Sequence, residues 1–139
     1  MAIRIFIIDE HLVAREMLAR RLSSLEDMDV VGTSGDGSEA VRQIKELRPD
    51  LVLMDIKMRR ADGIEVCRQA CSSSGGTKVA VLTSYIDSVE RRMVRQAGGR
   101  GYLLKKVDTL RLAQCIRRLA SPDGDEPKGG FIVNSIDLC

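Results

Sequence analysis

The chain of 139 residues has room for one domain with a real core and too little for two ordinary ones. At 44% hydrophobic and 30% charged residues it has the composition of a folded globular protein, which excludes a disordered chain. A net charge of +2 excludes the strong field of a general nucleic-acid or membrane binder, and no apolar stretch approaches the ~20 residues of a membrane span.

In chain order, strand and helix patterns alternate. Ile3–Ile8 reads as a strand, with no signal-peptide pattern before it, so a cytoplasmic protein is expected. His11–Leu25 follows as a helix with Ala14, Leu18, Leu22 and Leu25 on one face. Val30–Thr33 is a short strand, closed by the turn residues Gly35-Asp36-Gly37. Ser38 is then placed to cap a helix carrying Ala40, Val41, Ile44 and Leu47, which Pro49-Asp50 stops. Leu51–Met54 is a strand ending at Asp55, and Gly63–Cys71 a shorter helix, with the loop Ser72–Gly76 after it. Lys78–Leu82 makes a fourth strand, and Ser88–Ala97 a helix with Val89, Met93 and Ala97 inward. Gly101–Leu104 and Thr109–Ala120 complete the series. Residues 121–127, rich in Pro, Gly and acids, have the composition of a mobile linker.

Five βα units of this kind predict a doubly wound parallel sheet with helices on both faces. The cysteines (Cys67, Cys71, Cys115, Cys139) form no disulfide framework pattern. Cys67 and Cys71, one helical turn apart, read as small apolar side chains. The basic pairs Arg91-Arg92, Lys105-Lys106 and Arg117-Arg118 read as solvated helix faces or surface charge.

The chemistry gathers at strand ends. Interior strands of a parallel sheet are apolar throughout, and ligands bind beyond their carboxyl ends. Asp9 and Glu10 end one such run and Asp55 another. Three acids sharing a pocket resist joint ionisation and so demand a cation. Thr83 and Lys105 end two further strands. A carboxylate nucleophile, acidic metal ligands, a hydroxyl and an ammonium along one sheet edge suit phosphoryl transfer. Each has a plainer role open to it: Asp55 as a cap, Thr83 as a loop hydroxyl, Lys105 as surface charge, Asp9 and Glu10 as helix-dipole partners. Their joint occurrence at successive strand ends favours the site.

Over residues 1 to about 120 the chain resembles the receiver domain of two-component response regulators, most closely the NarL/FixJ subgroup. The resemblance rests on Ile7-Ile8-Asp9-Glu10-His11, Leu53–Met58 with Asp62-Gly63, Leu82-Thr83-Ser84 and Gly101–Lys105. It implies the α/β, CheY-like (flavodoxin-like) fold: a doubly wound five-stranded parallel sheet with five helices. It implies that Asp55 accepts a phosphoryl group from the phosphohistidine of a sensor histidine kinase. Mg²⁺ would be held by Glu10 directly, by Asp9 mainly through water, by Asp55, and by the Lys57 backbone carbonyl. Lys105 would pair with Asp55 and then with the phosphoryl oxygens; Thr83 would donate to them, and the small Ser84 would leave them room. Thr83 and Tyr102 would then move together, switching the face of the fourth helix, fifth strand and fifth helix.

Two positions depart from the family pattern: Glu10 stands where Asp is usual, and Arg59 where a proline is usual. Lys57 and Tyr85 hold positions that tune phosphoryl hydrolysis in the family, and their bulk predicts a long-lived phosphoprotein, a half-life of seconds being the contrary result. Residues 121–139 are too few for a helix-turn-helix domain, yet Gly129–Val133 resembles the linker before one. The expectation is therefore a receiver, residues 1–120, cut from a DNA-binding transcription regulator that dimerises on phosphorylation. Its pairing surface is either the first and fifth helices or the fourth–fifth face. A stand-alone relay or interaction receiver is the alternative. A phosphatase would need a second Asp where Lys57 stands, and a flavodoxin-like carrier would need a phosphate-cradling first loop.

Overall fold

The computed structural model describes residues 2–73, 75–121 and 131–134. Six strands, β1 (Ile3–Ile8), β2 (Met28–Ser34), β3 (Leu51–Asp55), β4 (Lys78–Thr83), β5 (Gly101–Leu104) and β6 (Ile132–Asn134), form one parallel sheet in the order β2-β1-β3-β4-β5-β6. The helices are α1 (Leu12–Ser23), α2 (Gly37–Leu47), α3 (Gly63–Ser73), α4 (Ser88–Gln96) and α5 (Thr109–Ala120). The five expected strands and five helices are all present; β6 extends the edge beyond them.

Strand alternation sorts the core into two layers. Phe6, Ile8, Val52, Met54, Val79, Val81 and Tyr102 face α2, α3 and α4. Ile5, Ile7, Leu51, Leu53, Ala80, Leu82 and Leu103 face Leu22 of α1 and Leu112, Ile116 and Leu119 of α5. Every residue of β3 is buried, so the strand that delivers Asp55 is the most firmly seated in the sheet. Cys67 packs fully into the first layer, with Cys71 against it, and both thiols are free.

Several local expectations are corrected. Asp36, not Ser38, caps α2, its side chain accepting from the Glu39 N–H; from Asp36 the carboxylate reaches the third N–H of the turn. Arg48 ends that helix in the left-handed region (φ 49°), where the following Pro49 removes the α alternative. Ala14 is exposed, and α1 buries only Leu22. In α4 the buried residues are Val94 and, at its C-cap, Ala97, whereas Val89 and Met93 are exposed. The helix is rotated by about one position relative to the apolar count, because turning Glu90 inward beside Val94 satisfies two hydroxyls in the interior. Val30–Thr33 lengthens to Met28–Ser34.

Of the segment read as a linker, 121–127, all but Ser121 lies outside the described residues, as do residues 128–130 and the tail after Asn134, including Cys139. Within the linker-like segment, Ile132–Asn134 instead pairs in parallel with Gly101–Leu103 on the free edge of β5. Among the described residues no helix is long and apolar enough to cross a membrane.

Candidate functional site

The carboxyl ends of β1, β3, β4 and β5 lie side by side along one edge of the sheet. Asp9 and Asp55 are buried there, and Lys105 reaches both: its Nζ lies 2.8 Å from Asp55 Oδ2 and 3.2 Å from Asp9 Oδ2. Burial works against the charged ammonium, but the bond to Asp55 and the fields of the two carboxylates outweigh it and raise the Lys105 pKa. The chain fixes the acids from behind. The Lys57 N–H donates to Asp55 Oδ1 at 3.1 Å, and the His11 N–H to Asp9 Oδ1 at 2.9 Å. Gly63 closes the loop after β3, since a Cβ there would lie 1.9 Å from the Ile56 carbonyl oxygen.

One ammonium facing two buried carboxylates leaves a negative charge in excess. Asp9, Asp55 and His11 bring ligand atoms within 4.8 Å of one another. The two carboxylates are hard, anionic oxygen donors of the kind Mg²⁺ takes, and each oxygen keeps a lone pair beyond its present hydrogen bond, so the residues fit a divalent ion. Glu10 does not join them. Its carboxylate turns to the loop between β3 and α3, accepting from the Arg59 N–H at 2.8 Å and the Arg60 N–H at 3.0 Å. Those two bonds hold Glu10 below the usual carboxylate range.

Thr83, at the end of β4, is bonded to the loop after it and to α4 rather than to Asp55. Its Oγ1 lies 3.0 Å from the Tyr85 carbonyl and 3.2 Å from Glu90 Oε1, with one proton for the two acceptors. Tyr102, fully buried, donates to the same Glu90 oxygen at 2.6 Å and accepts from the Asp87 N–H at 3.2 Å. Burial, and then the bond to Glu90, push the Tyr102 pKa up to about 12. Lys57 and Tyr85, both exposed, meet with the ammonium 4.6 Å from the ring centroid.

Sequence reasoning missed Glu90 and His11. Counting α4 from Val94 and Ala97 puts Glu90 on the same face one turn earlier, a signal hidden by the more hydrophobic Val89 and Met93. His11 joins because its own N–H is tied to Asp9.

A parallel sheet carrying two buried aspartates joined by a half-buried lysine at its carboxyl edge, with a Thr and a Tyr on the two strands beside them, defines a receiver. The chain belongs to the response regulator receiver domain family, whose model matches residues 5–117. It is 43% identical over 126 residues to the transcriptional regulatory protein LiaR of Bacillus subtilis, covering 91% of this chain and 58% of that protein. It is 36% identical over 118 residues to the response regulator protein VraR of Staphylococcus saprophyticus, covering 85% of this chain and 56% of VraR. The chain thus spans a little over half the length of these relatives. Among solved structures, the receiver domain of the putative response regulator NarL from Mycobacterium tuberculosis superposes with a TM-score of 0.79 at 28% identity, covering 86% of this chain and 96% of that one.

Proposed function

We propose that residues 1–120 form a phosphorylation-controlled receiver in which Asp55 is the phosphoacceptor. The observation that carries this is the Asp55 carboxylate, buried at the end of β3 and bonded to Lys105 at 2.8 Å. An Asp55 oxygen attacks the phosphorus of a sensor kinase's phosphohistidine. The P–N bond breaks, the imidazole leaves with the electron pair, and an acyl phosphate remains on Asp55. Lys105 shifts from carboxylate to phosphoryl oxygens and offsets the charge that develops there. Asp9, Asp55 and the Lys57 carbonyl are the residues that would hold Mg²⁺, with Glu10 a ligand only if it surrenders its two loop bonds. Bound there, the ion neutralises phosphoryl charge.

The added phosphoryl group brings about −1.5 to −2 charge and new acceptors near Thr83. Thr83 then leaves Glu90 for them, Tyr102 loses its shared partner, and the α4–β5–α5 face changes. The chain works as a regulator rather than an enzyme, in the cytoplasm, as the receiver of a longer transcription factor that reads DNA through a further domain. The naming of its relative LiaR as a transcriptional regulatory protein supports that reading. Phosphorylation drives homodimerisation. Exposed Leu12, Val13 and Met17 on α1 and Leu110 on α5 favour the first-and-fifth-helix face, since β6 already covers the β5 edge.

The test is intact mass after incubation with Mg²⁺ and acetyl phosphate. The expected result is a gain of one phosphoryl group in the parent and none in Asp55→Asn. A folded protein that gains nothing overturns the proposal.

A further inference from the structure

Two departures from the family pattern meet in space. Glu10 replaces an aspartate and Arg59 a proline, and the Glu10 carboxylate bonds the backbone N–H of Arg59. A proline at 59 has no N–H to give, and an aspartate at 10 is one methylene shorter. The second carboxylate oxygen takes the Arg60 N–H, so both oxygens of Glu10 are engaged. The loop so held begins at Lys57, whose own N–H is bonded to Asp55, and runs to Gly63, which tolerates no side chain. Between these fixed ends, residues 58–62 have no proline to restrict them. Glu10, Arg59 and Arg60, so joined, line a cleft of about 350 Å³ together with His11 and Gly35.

We propose that Glu10 is a positioning residue rather than a metal ligand: it clasps the β3–α3 loop through the Arg59 and Arg60 amides and thereby sets the segment carrying the Lys57 carbonyl. Hydrogen bonds here do what a proline ring does elsewhere in the family, by limiting the conformations the loop can visit. Outer groups that orient a ligand typically govern metal affinity by about 10- to 100-fold. The inference rests on the proposed Mg²⁺ site, but the clasp itself exists without the ion and is measured without it.

The experiment compares the parent, Glu10→Ala, Glu10→Gln and the double variant Glu10→Ala/Arg59→Pro by NMR, in two stages. Without metal, amide exchange at Arg59 and Arg60 should accelerate about tenfold or more in Glu10→Ala. In Glu10→Gln, which keeps one acceptor oxygen, one amide should stay protected. Unchanged exchange in both single variants overturns the clasp. With Mg²⁺, Glu10→Ala should bind about tenfold more weakly, and adding Arg59→Pro should recover most of that loss. A ring in the loop can restore loop order but cannot replace a missing carboxylate ligand. A double variant as weak as Glu10→Ala makes Glu10 a ligand and overturns the proposal. If the double variant does not fold, the parent decides the same question. Amides of Arg59 and Arg60 that lose protection when Mg²⁺ binds show Glu10 leaving the loop for the ion and overturn the proposal; amides that stay protected support it. A parent that binds no Mg²⁺ defeats the metal reading, while the metal-free exchange still decides the clasp.

Discussion

The two halves of the sheet's carboxyl edge are built differently. On the β1–β3 side, Asp9 and Asp55 end strands whose last residues are wholly interior, and each carboxylate is tied to a backbone N–H close behind it. On the β4–α4 side, Thr83 and Tyr102 share one oxygen of Glu90, on a nine-residue helix that buries only Val94. The first half is held by the core, whereas α4 is joined to the buried Thr83 and Tyr102 by Val94 and a few hydrogen bonds worth about 1 kcal/mol each. A phosphoacceptor needs a fixed position and a switch needs two arrangements of similar energy, so the difference in construction suits the roles proposed for the two halves.

The widest gap between the halves should appear on removing Lys105. Lys105→Ala leaves two buried carboxylates facing each other and should cost about 3 kcal/mol at neutral pH, measured by urea denaturation. Millimolar Mg²⁺ should return part of the loss; a cost below about 1 kcal/mol would mean that the rigid half is not held by charge balance.

Within α4, Val94→Ala should cost about 2 kcal/mol, whereas Val89→Ala and Met93→Ala should each stay within about 0.5. Equal costs would overturn the observed rotation of the helix, and with it the place of Glu90.

Alkaline titration separates the halves by a different route. The folded Tyr102 pKa lies above its ordinary value of 10.0, so the folded state holds that proton longer. Its contribution is complete below pH 10 and is lost as pH rises toward 12; the raised Lys105 has the same sign. A drop of about 1–2 kcal/mol across that window is expected, and Tyr102→Phe should flatten part of it.

A smaller effect than those of Lys105 and Val94 is expected from Glu90→Gln. It keeps the length of the side chain but weakens the charge-assisted bonds, costing about 1 kcal/mol. By releasing the Thr83 proton it should also speed phosphoryl uptake from acetyl phosphate about threefold. Slower uptake would make Glu90 a support of the active arrangement instead of the resting one.

Much of this molecule is legible in its sequence. The apolar runs 5–8, 51–54 and 79–82 could be little but interior strands, and interior strands of a βα chain bring their ends to one edge. That placed Asp9, Asp55, Thr83 and Lys105 together, and the structure joins Asp9, Asp55 and Lys105 by direct contact. What the pattern could not supply was side-chain direction. Whether Glu10 turns to a metal or to the Arg59 amide depends on a loop fixed by Lys57 and Gly63, far from Glu10 in sequence. The same holds for α4: local hydropathy favours Val89 and Met93 inward, but the hydroxyls of Thr83 and Tyr102 draw Glu90 inward instead. The pairing of Ile132–Asn134 with β5 likewise needed the sheet to exist first, since an edge strand is chosen by the unpaired backbone beside it. Periodicity determined the strands, their layers and the acids at their ends, because burial of apolar area is read residue by residue. Only the tertiary structure decided which donors each carboxylate would meet, because a hydrogen bond joins two groups whose distance the sequence does not contain.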